Sequence, residues 1–158
     1  MIYSRTSRYA IRALANMAAR EQGSPVDIKT ISTATGVPQA YIAKIFQGLV
    51  HAGIVVSQRG PGGGYFLKKD PRNISLFDVI DATDDMKNSP LFGCVMGLEE
   101  CNDKKPCPLH DMWVKARKSI LTELKSTTVK DLVSLKQKYR RSRKNRRVLS
   151  KRIRAVFE

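Results

Sequence analysis

The sequence predicts a mainly α-helical fold with a small β-hairpin wing: a winged helix-turn-helix followed by a long dimerisation helix. Three observations predict it. Apolar residues recur at helical spacing in three successive N-terminal segments, two short strand-like runs then flank a glycine-rich turn, and a longer helical pattern occupies residues 108–125. Because the order helix, helix, turn, helix, hairpin is that of a winged helix-turn-helix, we expect a DNA-binding head at the N-terminus.

The first two helices are marked by residues that begin and end helices. The pattern over residues 6–20 is amphipathic, and Thr6 or Ser7 can cap it. Asp27 can cap a short second helix, which stops at Gly36, a position suited to a left-handed backbone. We therefore predict a helix over residues 6–20 and a short second helix, separated by a break at residues 23–25.

The third helix, residues 38–51, has an apolar side and a polar side. Its apolar side carries Ile42, Ile45, Phe46 and Leu49. A recognition helix places its N-terminal residues against base edges in the major groove. Glutamine can pair with adenine, and lysine can reach guanine or phosphate. The candidate contacts are therefore Gln39, Ala40, Tyr41 and Lys44. An ordinary solvated helix face is the alternative interpretation.

The hairpin consists of a β-branched run at residues 54–56, the turn RGPGGG at 59–64 and the apolar run Tyr65-Phe66-Leu67. Four glycines in six positions exceed what a simple hairpin needs, which suggests that the backbone is closely approached. A wing on the sugar–phosphate backbone would explain the excess, with Arg59 directed into a narrow minor groove. The candidate wing contacts are Arg59, Gly60, Gly62 and Gly63; a floppy hairpin is the alternative.

Phosphate contacts are also expected at the start of the first helix, from Ser4, Arg5 and Arg8. Such contacts add affinity without selecting a sequence.

The sequence pattern divides the chain into three segments. Residues 1–83 form the expected DNA-binding domain, which ends with a helix capped by Ser75. Residues 84–135 hold a loop without sustained periodicity, the long helix and a short last helix capped by Thr128. Residues 136–158 form a basic tail. We expect the apolar stripe of the long helix, including Trp113, to pack in a dimer interface.

Charge indicates a polyanionic partner. The chain has a net charge of +15, and it is uneven: residues 1–80 carry 10 basic and 4 acidic side chains, whereas residues 136–158 carry 11 and 1. Basic surfaces bind nucleic acid by releasing condensed counterions. No apolar run is long enough to span a bilayer and no signal peptide is evident, so we expect a cytoplasmic protein without a membrane partner. Neither a nucleophile elbow nor a phosphate loop is present, so we expect no enzyme.

Three cysteines and a histidine form a candidate ligand set. Cys94, Cys101 and Cys107 are separated by six and five residues, and His110 follows after two more. Zinc sites usually have cysteines two to four residues apart, and no pair here is that close. A cluster is larger than one ion and tolerates a loop wrapped round it, with thiolates and an occasional histidine as ligands. A zinc site and a thiol switch remain alternatives.

The chain resembles the winged-helix regulators typified by IscR and NsrR over about residues 1–135. The resemblance is carried by the segments SRYAIRALANMA, ISTATGVPQAYIAKIFQGLVHAGIV and RGPGGGYFL. The resemblance implies a homodimer, a palindrome-like DNA operator and transcriptional regulation. It also implies a 2Fe–2S cluster held by Cys94, Cys101, Cys107 and His110, although the first cysteine spacing is one residue longer than in IscR. Branches with a 4Fe–4S cluster have an acidic ligand in the first helix, where this chain has Arg8 and Arg12, so 2Fe–2S is favoured.

The sequence therefore predicts a dimeric, sequence-specific transcriptional regulator that senses iron–sulfur, redox or nitric oxide status through a Cys3His-ligated cluster. The alternatives are the same regulator with a zinc or thiol-switch site, and a general basic nucleic-acid-binding protein that depends on the tail 136–158.

Overall fold

The structure, a computed structural model, describes residues 2–20, 23–84, 86, 89, 91–99 and 101–141, with side chains to residue 135. Within these ranges the chain forms helices and one two-stranded antiparallel sheet, as predicted. The elements are α1 (Arg5–Ala18), α2 (Ile28–Thr35), α3 (Gln39–His51), β1 (Val55–Gln58), β2 (Gly64–Leu67), α4 (Leu76–Asp84), α5 (His110–Ser126) and α6 (Val129–Arg141).

The start of α1 differs from the prediction. Ser4, and not Thr6 or Ser7, is the capping residue: its backbone is extended and its side chain accepts a hydrogen bond from the Ser7 N–H at 3.2 Å. The Ser7 side chain is buried instead, with its hydroxyl 2.7 Å from that of Thr83. Because a long-range contact uses the Ser7 hydroxyl, the cap lies earlier in the chain.

The helix-turn-helix forms where it was predicted. Asp27 caps α2 by accepting a hydrogen bond from the Thr30 N–H at 2.8 Å, and Gly36 ends that helix in the left-handed region. The apolar side of α3 is buried, comprising Ile42, Ile45, Phe46 and Leu49. These residues belong to the main core cluster, in which α1, α2, α3 and β1 meet. The polar side of α3 is consequently left at the surface.

The hairpin is attached to the head through Tyr65. Strands β1 and β2 pair with Val55 opposite Leu67 and Gln58 opposite Gly64. Tyr65 also forms an antiparallel bridge with Val26, through backbone hydrogen bonds of 2.8 and 2.9 Å. Its ring lies 4.6 Å from that of Phe46 in α3. These contacts fix the root of the hairpin against the third helix.

Helix α6 packs against the N-terminal DNA-binding domain, although the sequence pattern assigned it to the segment 84–135. Val129 is fully buried in the main core cluster together with α1 residues. Backbone hydrogen bonds flank the junction, from the Leu76 N–H to the Thr127 carbonyl and from the Val129 N–H to the Ile74 carbonyl, both 2.9 Å. The end of α5 and the start of α6 are therefore tied to the segment that precedes α4.

The apolar stripe of α5 packs partly against its own chain, and the expectation that this helix forms a dimer interface stays a prediction. Buried Ile80, Met86 and Leu91 form a second cluster. The α5 residues packed against this cluster are Trp113, Ile120, Leu121 and Leu124. Helical periodicity shows that a stripe is buried, but not against which surface. Exposed apolar side chains of α5 are Met112 and Val114, at 53% and 39% exposure.

Helix α6 continues to Arg141, so it includes the first six residues of the predicted basic tail. Residues 142–158, which carry the rest of that tail, lie outside the described residues. None of the helices in the described ranges is both long and apolar enough to cross a membrane.

Candidate DNA-binding surface and sensor loop

The exposed side of α3 contains most of the predicted recognition residues. Gln39, Ala40 and Lys44 are exposed, whereas Tyr41 is half-buried. The Tyr41 hydroxyl lies 2.7 Å from the Thr6 hydroxyl, and its ring packs edge-on against Tyr9 with centroids 6.0 Å apart. Tyr41 therefore holds the start of α1 beside the start of α3, and brings the two predicted contact regions together.

At the start of α1, the three predicted phosphate contacts differ in what surrounds them. Arg5 and Arg8 are exposed and lie within a turn of Thr6. Ser4 is half-buried, and its N–H donates to a carboxylate oxygen of Asp84 at 2.6 Å while its hydroxyl donates to the other oxygen. The hydroxyl of Ser4 is therefore used within the fold, whereas Arg5 and Arg8 form no ion pair with any residue that the structure describes.

The glycines of the wing are required by the backbone conformation of the turn itself. Gly60 and Gly62 adopt φ of +100° and +74°, which side chains rarely tolerate. A Cβ at Gly63 would lie only 2.3 Å from the Gln58 carbonyl oxygen. The turn itself thus requires these glycines, and the approach of an outside molecule is not needed to explain them. Arg59, Gly60 and Gly62 are exposed at the tip, and Gly63 is half-buried.

In the loop before α5, the structure brings Cys101 and His110 together. Cys101 Sγ lies 3.6 Å from His110 Nδ1, and His110 Nε2 lies 2.8 Å from Asp103 Oδ1. An ionised carboxylate only accepts hydrogen bonds, so Nε2 carries the proton. In the neutral imidazole, Nδ1 is then the acceptor, and the Cys101 thiol donates to it. His110 is buried at 6% exposure, although Asp103 is exposed.

Cys94 and Cys107 form the second pair. Both are free and half-buried, and the Cys107 side chain is near enough to contribute to the lowered pKa of the Cys94 thiol. The backbone N–H groups of Leu98 and Met96 also donate to the Cys94 sulfur, and they lower the pKa of this thiol. Hydrogen bonds to the charged form favour it, so the turn after Cys94 is suited to holding a thiolate.

One face of α5 contacts the loop. His110, Trp113 and Arg117 follow at helical spacing, so they share that face. Trp113 Nε1 donates to the Gly93 carbonyl at 2.8 Å, and Arg117 Nη2 donates to the same carbonyl at 3.1 Å. Arg117 Nη2 also donates to Cys101 Sγ at 3.2 Å. The start of α5 thus contacts the beginning and the middle of the cysteine-containing loop.

The four predicted ligands therefore lie in two pairs. Across the described part of the chain, no group of three or more histidine, cysteine or acidic side chains is placed to hold one metal ion. Cys101 is paired with His110, and Cys94 with Cys107. This arrangement differs from a closed tetrahedral zinc site, in which four side chains converge on one ion.

Sequence reasoning missed several residues of this region: Thr83, Asp84, Gly93, Asp103 and Arg117. Arg117 had a usable signal, because it lies seven residues after His110 and therefore on the same helix face. Asp84 had none, since its partner Ser4 is 80 residues away in the chain.

Comparison with known proteins identifies the family. The sequence profile of the Rrf2 family, described as an iron-dependent transcriptional regulator, matches residues 3–135. The chain belongs to the Rrf2 family. An HTH-type transcriptional regulator from Aquifex aeolicus (strain VF5) is 32% identical over 141 residues, covering 88% of this chain and 96% of that protein. IscR from Yersinia pseudotuberculosis is 34% identical over 127 residues, covering 80% and 76%.

Solved structures agree with this Rrf2-family assignment. CymR, the global cysteine regulator of B. subtilis, has a TM-score of 0.71 and 28% identity, covering 85% of this chain and 98% of CymR. IscR of T. potens has a TM-score of 0.66 and 28% identity, covering 85% and 87%. The chain is thus an Rrf2-type winged-helix transcriptional regulator, and its relatives are named as regulators and not as enzymes.

Proposed function

We propose that this Rrf2-family regulator is a homodimer that binds a palindrome-like DNA operator and senses iron–sulfur, redox or nitric oxide status through an iron–sulfur cluster. One observation carries the sensing proposal: the pairing of Cys101 with His110, and of Cys94 with Cys107, in a loop against the start of α5. The similarity to IscR adds support.

The DNA-binding proposal rests on three exposed regions joined by side-chain contacts. The start of α3 supplies Gln39, Ala40 and Lys44, with Tyr41 tying it to α1. Arg5 and Arg8 add positive charge beside it, and Arg59 extends from the wing. Base-edge contacts from α3 would select the sequence, whereas the arginines would supply salt-dependent affinity.

Dimerisation is proposed through the part of α5 that its own chain leaves uncovered, where Met112 and Val114 are exposed. A two-fold dimer would present two α3 helices about one turn of DNA apart, roughly 34 Å. A palindrome-like operator follows from this symmetry.

The side chains of the loop fit an iron–sulfur cluster. Thiols and an imidazole nitrogen that carries no proton are its usual ligands, and the loop supplies three half-buried thiols and His110 Nδ1. Arg117 Nε is buried without a hydrogen-bond acceptor among the described residues, and a sulfur-rich group beside the loop would supply one. Two pairs of ligands suit a 2Fe–2S centre, since each of its irons takes two protein ligands.

When bound, the cluster would supply a redox-active centre that oxidants or nitric oxide could alter. Cys94, Cys101, Cys107 and His110 would hold it, and their thiols would be deprotonated and the imidazole neutral. Asp103 keeps the proton of His110 on Nε2, which leaves Nδ1 as the ligand atom. Because His110 begins α5, ligand binding in the loop would fix the start of this helix and thereby change operator affinity, by about 1–3 kcal/mol of coupling energy.

The test is anaerobic purification followed by visible absorption spectroscopy and analysis of iron, sulfide and zinc. We expect a coloured protein with nearly equal amounts of iron and sulfide, and loss of colour in Cys101→Ser. A colourless protein that takes up neither iron nor sulfide after reconstitution would exclude the cluster. Operator binding measured with and without the cluster then tests the coupling.

A thiol switch is the second candidate, and the contact between Cys94 and Cys107 favours it. A peroxide would oxidise the Cys94 thiolate to a sulfenic acid, and the Cys107 thiol would then displace water to form a disulfide. In that case metal-free protein would change its operator affinity after peroxide treatment, and Cys107→Ser would abolish the change. A cluster-dependent response predicts no such effect in metal-free protein.

A further inference from the structure

Arg117 holds two distant parts of the loop at once. Its Nη2 donates to the Gly93 carbonyl at 3.1 Å and to Cys101 Sγ at 3.2 Å. Gly93 immediately precedes Cys94, so the first ligand pair is attached to α5 through the backbone beside it. Cys101 belongs to the second pair. A single guanidinium thus connects the backbone beside one pair to a sulfur of the other.

The position of the guanidinium is itself fixed. The Arg117 Cζ lies 5.6 Å from the centre of the Trp113 ring, within the range of a cation–π contact. Trp113 donates its own N–H to the Gly93 carbonyl at 2.8 Å. Two donors on one face of α5 therefore converge on one carbonyl, and the stacked ring restricts how the arginine can move.

We propose that Arg117 is a positioning residue of the sensor site, which clamps the loop to α5 and orients Cys101 before any ligand is bound. A second consequence rests on the proposed function: in the cluster-loaded protein the guanidinium raises the reduction potential. Hydrogen bonds and positive charge at a ligand sulfur stabilise the reduced, more negative cluster. This role differs from ligation, because arginine donates hydrogen bonds and has no free lone pair for a metal.

The clamp is tested in reduced, metal-free protein by hydrogen exchange of residues 94–101, with wild type, Arg117→Met and Lys118→Met. Lys118 is the adjacent, exposed cation, so its variant controls for loss of charge. The Gly97 amide is a good reporter, because it donates to the Cys94 carbonyl at 3.0 Å. We expect at least about tenfold faster exchange in Arg117→Met and wild-type exchange in Lys118→Met. Unchanged exchange in Arg117→Met would overturn the clamp.

Arg117→Lys is the second variant, in case Arg117→Met does not fold. It keeps the charge but lacks the planar fork of arginine. We expect Arg117→Lys to exchange faster than wild type and more slowly than Arg117→Met. If Arg117→Met does not fold, the expected result is exchange faster than that of wild type. Exchange equal to wild type in Arg117→Lys would show that a positive charge alone suffices, and would overturn the proposed hydrogen-bonded clamp.

The midpoint potential of the cluster-loaded protein provides the second readout. We expect a lower potential in Arg117→Met than in Lys118→Met, and equal potentials would overturn the tuning role. If the protein cannot be loaded with iron and sulfide, the proposed sensing function fails. The exchange measurement in metal-free protein still decides whether Arg117 clamps the loop, so the two failures are distinguishable.

Discussion

The carboxylate of Asp84 accepts hydrogen bonds from both the backbone N–H and the hydroxyl of Ser4. Asp84 is the last residue of α4, and Ser4 is the cap of α1. The sequence after Asp84 continues to the cysteine-containing loop, so the contact ties the start of α1 to the end of the helix that precedes this loop.

Removal of this carboxylate should destabilise the protein. Asp84→Ala leaves the Ser4 donors without their charged acceptor, and we expect a loss of about 1.5–3 kcal/mol in the free energy of unfolding. Urea unfolding measures it. Asp81→Ala, an exposed acid three residues earlier on α4, is the matched control and should change stability by less than about 0.5 kcal/mol. Equal effects of the two variants would contradict a specific role of the Ser4 contact.

Gly48 should be required for the packing of α3 on α4. A Cβ at this position would lie 2.8 Å from the Ala82 carbonyl oxygen. Helix propensity alone predicts that Gly48→Ala stabilises by about 1 kcal/mol. Overpacking typically costs about 1–3 kcal/mol, so we expect net destabilisation in a thermal melt. Gln47→Ala, an exposed site on the same helix, should be nearly neutral. A more stable Gly48→Ala protein would show that the two helices separate easily.

The cap of α2 predicts a specific loss of stability in acid. Hydrogen bonds from the Thr30 hydroxyl and N–H lower the pKa of Asp27 in the folded state. A carboxyl with a lowered folded pKa contributes stability above its unfolded pKa, about 3.9, and this contribution is lost as pH falls through the folded pKa.

The matched variant is Asp27→Asn, because asparagine caps helices about as well but does not titrate. We expect the urea midpoint of wild type to fall more than that of the variant between about pH 6 and about pH 3. Parallel pH profiles would contradict the role of the Asp27 carboxylate.

Arg59 should contribute affinity through phosphate or minor-groove contact. Arg59→Ala should weaken operator binding and reduce the slope of log affinity against log salt by about 1, since one fewer counterion is released. Fluorescence anisotropy over a salt series measures this. Lys130→Ala, an exposed cation on α6, should leave the slope unchanged. Unaltered affinity in Arg59→Ala would remove the wing tip from the DNA interface.

The basic end of the chain should affect affinity more than specificity. Residues 142–158 carry seven basic and one acidic side chain, and a chain that ends at Arg141 keeps all six α-helices of the described residues. We expect this truncated protein to bind non-operator DNA more weakly and with a smaller salt dependence, while discrimination for its operator persists. Loss of that discrimination would favour the general nucleic-acid-binding alternative.

The parts that sequence predicted well are those fixed by local signals. Asp27 and Gly36 marked both ends of α2, and the spacing of Ile42, Ile45 and Leu49 gave the buried side of α3. Caps and periodicity act within a few residues, so one segment is enough to read them.

The missed features depend on contacts between distant segments. Ser4 was not predicted as the cap because Asp84 supports it from 80 residues away. The loop has no periodicity, so its spacing gave the ligand set but not the pairing of Cys101 with His110. For a related reason, the helical period of α5 did not reveal that Trp113 packs partly against the second cluster of its own chain.

Backbone hydrogen bonds at the junction after α5 fix the C-terminal end of this helix to the segment before α4. The Thr127 carbonyl accepts from the Leu76 N–H, and the Val129 N–H donates to the Ile74 carbonyl. The cysteine-containing loop, in contrast, contacts the first two turns of α5. The 17 residues of α5 span about 25 Å. The cysteine-containing loop and the tied junction therefore lie at opposite ends of one helix, and the apolar stripe between them packs on the second cluster. A displacement of the loop-contacting end relative to the head would have to be accommodated at this apolar contact.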